Sequence, residues 1–200
     1  PGCKYGRLQP PDSILDGASG WTTEKVMKIT GRNIKRRLYG LRTLPSNIKR
    51  ARYFRGHGVH SPFVYAIVRE VFIQSKLRSN NRELYEELLN AEVSKRRATQ
   101  LQNLMEHCKY STFKIDCMPQ SSEVCDMVIA TINTPHEELA VMADKAREQK
   151  ITLCIMSPSL DQQRDKACKA IVDAHPCTSV DNRGYLLLFN NHLPKQIFRL

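Results

Sequence analysis

An α/β fold, built on a reduced and mostly parallel sheet with helices in front of it, is what this sequence predicts. Three observations carry that prediction. The spacing of apolar residues changes near residue 110, from helical periods to short β-rich runs. Two of those runs, residues 124–132 and 151–156, are almost continuously apolar, as strands buried on both faces of a parallel sheet are. The chain then closes on two β-rich runs around Asp181-Asn182-Arg183-Gly184, a hairpin-type turn.

Taken in order, residues 1–26 read as a tail or upstream extension. They mix Pro1, Gly2, Pro10, Pro11, Gly17 and Gly20 with few periodic apolar positions, and Trp21 is the one evident anchor. Met27, followed by Lys28-Ile29-Thr30, suits a translation start. Residues 27–109 form a basic helical region. A first helix is expected around residues 33–41, a break at Pro45, and a second basic helix from an N-cap at Ser46 to Phe54. Ser61-Pro62 then gives a cap and a first-turn proline for a helix over residues 63–76, with Phe63, Ile67 and Val71 on one face. Asn80 or Asn81 caps a long helix to about Lys109, striped by Leu84, Leu88, Leu101, Leu104 and Met105. Its polar stretch at 92–100 marks a kink or a break, and Glu92 and Arg96 fall at i, i+4.

Residues 110–200 form the α/β domain. Strands are expected at 112–115 and 124–132. Thr134-Pro135 opens a helix with Glu137 and Glu138 in its first turn and with Leu139, Met142, Ala143 and Ala146 along it. A strand at 151–156 leads to a helix over 160–174, with Ala167, Ile171 and Ala174 inward. Strands at 178–180 and 185–189 close the chain. The order β-β-α-β-α-β-β is half of a doubly wound sheet ending in an antiparallel hairpin.

The net charge of +11 is unevenly placed. Residues 28–55 hold ten Lys and Arg and no acid, whereas residues 110–200 hold ten Lys and Arg against eleven Asp and Glu. The basicity therefore belongs to an arm, and Lys35, Arg36, Arg37, Lys49, Arg50, Arg52 and Arg55 are its candidate contacts for RNA or another polyanion. Tyr39, Tyr53 and Phe54 are too few for a base-stacking platform. No apolar run is long enough to cross a bilayer. Seven cysteines with no C-x-x-C pair suit reduced thiols and a cytoplasmic location better than a disulfide framework or a zinc site.

Residues 56–65 read Gly-His-Gly-Val-His-Ser-Pro-Phe-Val-Tyr. This run resembles the N-terminal signature of a bacterial family of class I S-adenosylmethionine-dependent methyltransferases, in which a basic helix and such a loop lead into a Rossmann-like domain. Lys95 to Cys108 resembles the helix before that family's first strand. Cys125-Asp126-Met127-Val128-Ile129 resembles its fourth strand, residues 151–156 its fifth, and residues 181–189 with the tail 193–200 its closing hairpin. The resemblance covers residues 27–200 in patches, and the loop is its specific part.

The departures from the family fall on its catalytic parts. A glycine-rich turn after the first strand should let backbone N–H groups approach the cofactor. Here Asp116 is followed by Cys117-Met118-Pro119-Gln120-Ser121-Ser122, and no glycine occurs between Gly58 and Gly184. Seven residues separate Asp116 from Val124, which leaves no room for the two β-α units that hold the adenosine. Ala130-Thr131-Ile132-Asn133 stands where an acidic residue follows the fourth strand, and Ser157-Pro158-Ser159 replaces paired aspartates after the fifth.

His57 and His60 are the candidate catalytic pair. Their H-x-x-H spacing falls in a glycine loop with no third ligand nearby, so no metal is expected, and satisfying backbone groups at the helix entry is the simpler role. Asp116, Asn133 and His136, at strand ends, are the candidate cofactor contacts; a turn carboxylate and a helix-start histidine are the plainer readings of Asp116 and His136. The sequence therefore describes a reduced or degenerate relative of a methyltransferase, expected to lack catalysis and to bind or assemble. No cofactor is expected, and S-adenosylmethionine is the one implied if a pocket survives. Residual methyl transfer to an unidentified acceptor and RNA association through the basic arm are the alternatives. A sheet that has lost strands should expose an edge, which homodimerisation would cover.

Overall fold

The computed structural model describes residues 59–120 and 122–200, together with Leu41 and Pro45. His57 and the basic candidates Lys35, Arg36, Arg37, Lys49, Arg50, Arg52 and Arg55 lie outside the described residues, as do Trp21 and the tail. Leu41 is helical, and Pro45, expected to break the helix, is itself helical.

Helix α1, Pro62–Ile67, begins as its cap and proline dictate, with the Val64 N–H donating to Ser61 Oγ. It continues as one widened π-type turn, Val68–Phe72, in which the Ile73 N–H reaches back to the Val68 carbonyl. It does not run on to Lys76. The Phe72 carbonyl instead accepts from Gln100 Nε2 at 2.7 Å, and Asn103 binds both the Lys76 carbonyl and the Arg78 N–H.

The long helix expected from Asn81 is two helices, α2 (Glu83–Asn90) and α3 (Lys95–Cys108). Asn81 does supply the opening bond, accepting from the Glu83 N–H at 3.0 Å. Glu92 takes the left-handed conformation (φ 58°) and Ser94 restarts the helix, so Glu92 and Arg96 share no helical face. The polar residues Thr99, Gln100, Gln102 and Asn103 are buried because α3 is covered on more than one side, by the sheet and by α1 and α2.

The sheet has six strands: β1 (Phe113–Ile115), β2 (Met127–Ala130), β3 (Thr152–Met156), β4 (Ser179–Asp181), β5 (Tyr185–Leu188) and β6 (Ile197–Arg199). Their spatial order is β1-β2-β3-β5-β4-β6; β1, β2 and β3 are parallel, β5 is antiparallel to β3 and β4, and β6 runs parallel with β4. Helices α4 (Glu138–Glu148) and α5 (Gln162–Ala174) follow β2 and β3. This is a Rossmann-like α/β fold with an antiparallel hairpin and helices before it. Among the described residues no helix is long and apolar enough to cross a membrane.

Side-chain alternation explains why the strands read as continuous apolar runs. Met127, Ile129, Cys154, Met156, Tyr185 and Leu187 face α1, α2 and α3. Val128, Ala130, Leu153, Ile155, Leu186 and Leu188 face α4 and α5. Both faces are buried, and Thr152, whose hydroxyl pairs with Tyr110, is the polar exception at the start of β3. Three expectations need correction. Val124 is 83% exposed and Ile132 is 48% exposed, so both lie outside β2. Ala174 is exposed, and the inward face of α5 is Arg164, Asp165, Cys168, Ile171 and Val172.

Candidate functional site at the carboxyl ends of the strands

In sheets of this class ligands bind outside the carboxyl ends of the parallel strands, at the point where strand order reverses. The chain reaches that end at Asp116, Thr131 and Ser157. Asp116 turns sharply with no glycine, at φ 55°, a conformation aspartate tolerates better than most residues. Its carboxylate is then occupied from within the chain. Thr131 donates its N–H to Oδ1 at 2.6 Å and its hydroxyl to Oδ2 at 2.5 Å, and the Thr134 hydroxyl donates to Oδ1 at 2.6 Å. An aspartate at this turn also puts a side chain where a glycine would leave the backbone open to approach.

Arg164 closes the next junction. It is 2% exposed and sits in the first turn of α5, where the Asp161 side chain caps the helix through the Arg164 N–H at 2.8 Å. Its guanidinium donates to the carbonyls of Thr134 (2.8 Å), Thr131 (2.8 Å) and Met156 (3.1 Å). Burial pushes its pKa down, while the surrounding acidic groups, Asp161 and Asp116 among them, hold it up. The loops after β2 and β3 are thereby tied to one cation.

The third junction lies between β3 and the hairpin. The Ser157 N–H donates to the Gly184 carbonyl at 2.8 Å, and Arg97 Nη1 donates to Ser157 Oγ at 3.2 Å. Beneath this pair Tyr185 is fully buried, its ring edge-on to Phe72 at 5.9 Å, with its hydroxyl donating to Gln100.

Asp116 and Asn133 meet at Thr131, but His60 does not join them. Asn133 is exposed and uses its N–H on Thr131 Oγ1, and His136 is half-buried with Nε2 3.2 Å from Glu137. His60 is exposed at the entry to α1. Phe63, three residues on, packs edge-on against Phe189 at 5.0 Å, and Phe189 pairs with Thr178 beyond the last β4–β5 register pair. Because β5 runs against β3, that level is the amino end of β3, and β5 lies three places from β1 in the sheet. The helix entry carrying His60 and the turn carrying Asp116 thus stand at opposite ends. A shared site for His60 and Asp116 is excluded by this placement.

Arg164 and Arg97 were missed in the sequence, although a signal was present. Each heads an inward helical row, Arg164 with Cys168 and Ile171, Arg97 with Leu101 and Leu104. A cation at the head of an apolar stripe, at a strand-facing helix start, is a cation aimed at strand-end carbonyls. Among the described residues no His, Cys, Asp and Glu group forms a metal-binding cluster, and the six described cysteines are free. Compared with known proteins, the chain matches no family model, no curated protein and no solved structure.

Proposed function

We propose that this chain is a methyltransferase-like scaffold that has lost methyl transfer and serves a binding or assembly role. The observation that carries the reading is the state of Asp116. At the carboxyl ends of β1 and β2, where a nucleotide ribose would seek a carboxylate, both carboxylate oxygens already accept hydrogen bonds from Thr131 and Thr134. The strand order supports it as well. In a doubly wound sheet the second and third strands lie outside the first, and here β1 is an edge strand. Its outer N–H and C=O groups have no strand partner among the described residues, which makes this edge the surface for a homodimer. Free cysteines fit a reducing compartment such as the cytoplasm.

Calorimetric titration with S-adenosylmethionine tests the reading. No heat of binding is expected up to millimolar ligand, and a micromolar dissociation constant would overturn it in favour of residual methyl transfer. A second reading, RNA association, rests on the ten cations and no acids of residues 28–55. It requires salt-sensitive binding that is lost when those residues are removed.

A further inference from the structure

Arg97 is a strand-end cation that meets no acid among the described residues. Its guanidinium is half-buried, and among the described residues its only hydrogen-bond acceptor is the neutral hydroxyl of Ser157. No carboxylate of the described residues pairs with it, in contrast to Arg78, Arg147 and Lys169, each of which meets an acid. The ionisable groups beneath it are Cys154 and Tyr185, and burial raises the pKa of both so that neither carries negative charge. Arg96 adds a second positive charge, and burial together with that repulsion lowers the Arg97 pKa. A cation taken half out of water without an anion is an unfinished arrangement.

The surroundings of Arg97 add a second donor beside it. Gly184 has no side chain, and a Cβ there would come within 2.6 Å of Arg97 Nε, so the Arg97 side chain packs closely over the hairpin turn. Ser157 accepts from Arg97 through its oxygen, which leaves its own O–H to donate outward. The Arg97 fork and this hydroxyl together present several donors, in the geometry that oxyanions accept.

We propose that Arg97 and Ser157 bind an oxyanion at the carboxyl end of β3, and that the ligand presents it as a phosphoryl group. A phosphoryl group offers three oxygens, so it can accept from the Arg97 fork and from the Ser157 hydroxyl on separate atoms. The site is separate from the Asp116 turn, so it stands or falls independently of S-adenosylmethionine.

The test is calorimetric titration of the full chain with inorganic phosphate, and with acetate at matched ionic strength. Phosphate should bind more tightly than acetate. Arg97→Met should weaken phosphate binding by about tenfold or more, the scale of one lost charge-assisted contact. Ser157→Ala keeps every charge but removes the hydroxyl donor, and it should weaken binding in the same sense; it decides the matter if the Arg97 variant fails to fold. A variant with Lys35, Arg36 and Arg37 changed to Gln should bind phosphate as the parent does. The proposal is overturned if the parent ignores phosphate, if acetate binds as well as phosphate, if Ser157→Ala binds as the parent does, or if only the arm variant loses binding.

Discussion

At the amino end of the β1–β2 pair, one Asp126 oxygen accepts from the N–H and hydroxyl groups of both Ser111 and Thr112. At the carboxyl end, Asp116 accepts from Thr131 and Thr134, and buried Arg164 gathers the carbonyls of the same two threonines. Both ends use an aspartate to tie one parallel strand to the next. The amino end is a plain tie between neighbouring segments, close to solvent. The carboxyl end costs more, because it needs a left-handed aspartate and a desolvated guanidinium. Side chains at that end of such sheets ordinarily address a ligand, and here they address their own chain.

Substitutions rank the two ends. Arg164→Met strands three carbonyls in a dry site and should destabilise by about 3–5 kcal/mol in denaturant unfolding. A loss below about 1 kcal/mol would mean that those carbonyls find water, and the closed end would not exist. Asp116→Asn keeps a residue suited to the left-handed turn but cannot accept on both sides, so about 1–3 kcal/mol should be lost. Asp126→Asn should cost only about 1 kcal/mol, because solvent screens a carboxylate so near the surface.

The Asp126 effect also has a pH signature. Burial alone would raise its pKa, but the hydrogen bonds from Ser111 and Thr112 outweigh burial and hold it below the ordinary aspartate range. A carboxyl lowered on folding stabilises the fold above the unfolded pKa of about 4, and that contribution fades as pH falls through the lower folded value. Asp126→Asn should therefore flatten the loss of stability below about pH 4. An unchanged acid limb would show that the amino-end tie does not form. The smallest effect belongs to Tyr110→Phe, which removes the 2.6 Å hydroxyl contact with Thr152 at the same end and should cost about 0.5 kcal/mol.

The sequence made the layers legible because burial on both faces leaves its mark at every residue of β2, β3 and β5. The hairpin was legible for a local reason: Arg183 takes φ 70° beside Gly184, and the Asp181 and Asn182 side chains cap the turn. The division of α2 from α3 was legible only as a polar stretch. Gln100, Gln102 and Asn103 look like solvent-facing residues until the backbone groups of 72–85 that they bind are in place. The site was the least legible part. Asp116 is the same letter whether it faces a ribose or Thr131, and the difference lies in hydroxyls fifteen and more residues away. The histidine run was visible at once, and the packing of Phe63 on Phe189 puts its described part at the far end.

The closed carboxyl end is tested most directly by amide hydrogen exchange at Thr131, whose N–H is given to Asp116. Exchange in the parent should be as slow as at neighbouring β2 amides, unchanged by added S-adenosylmethionine, and at least about tenfold faster in Asp116→Asn, where that bond is weakened. Rapid exchange at Thr131 in the parent, or protection that appears only when S-adenosylmethionine is added, would contradict the account.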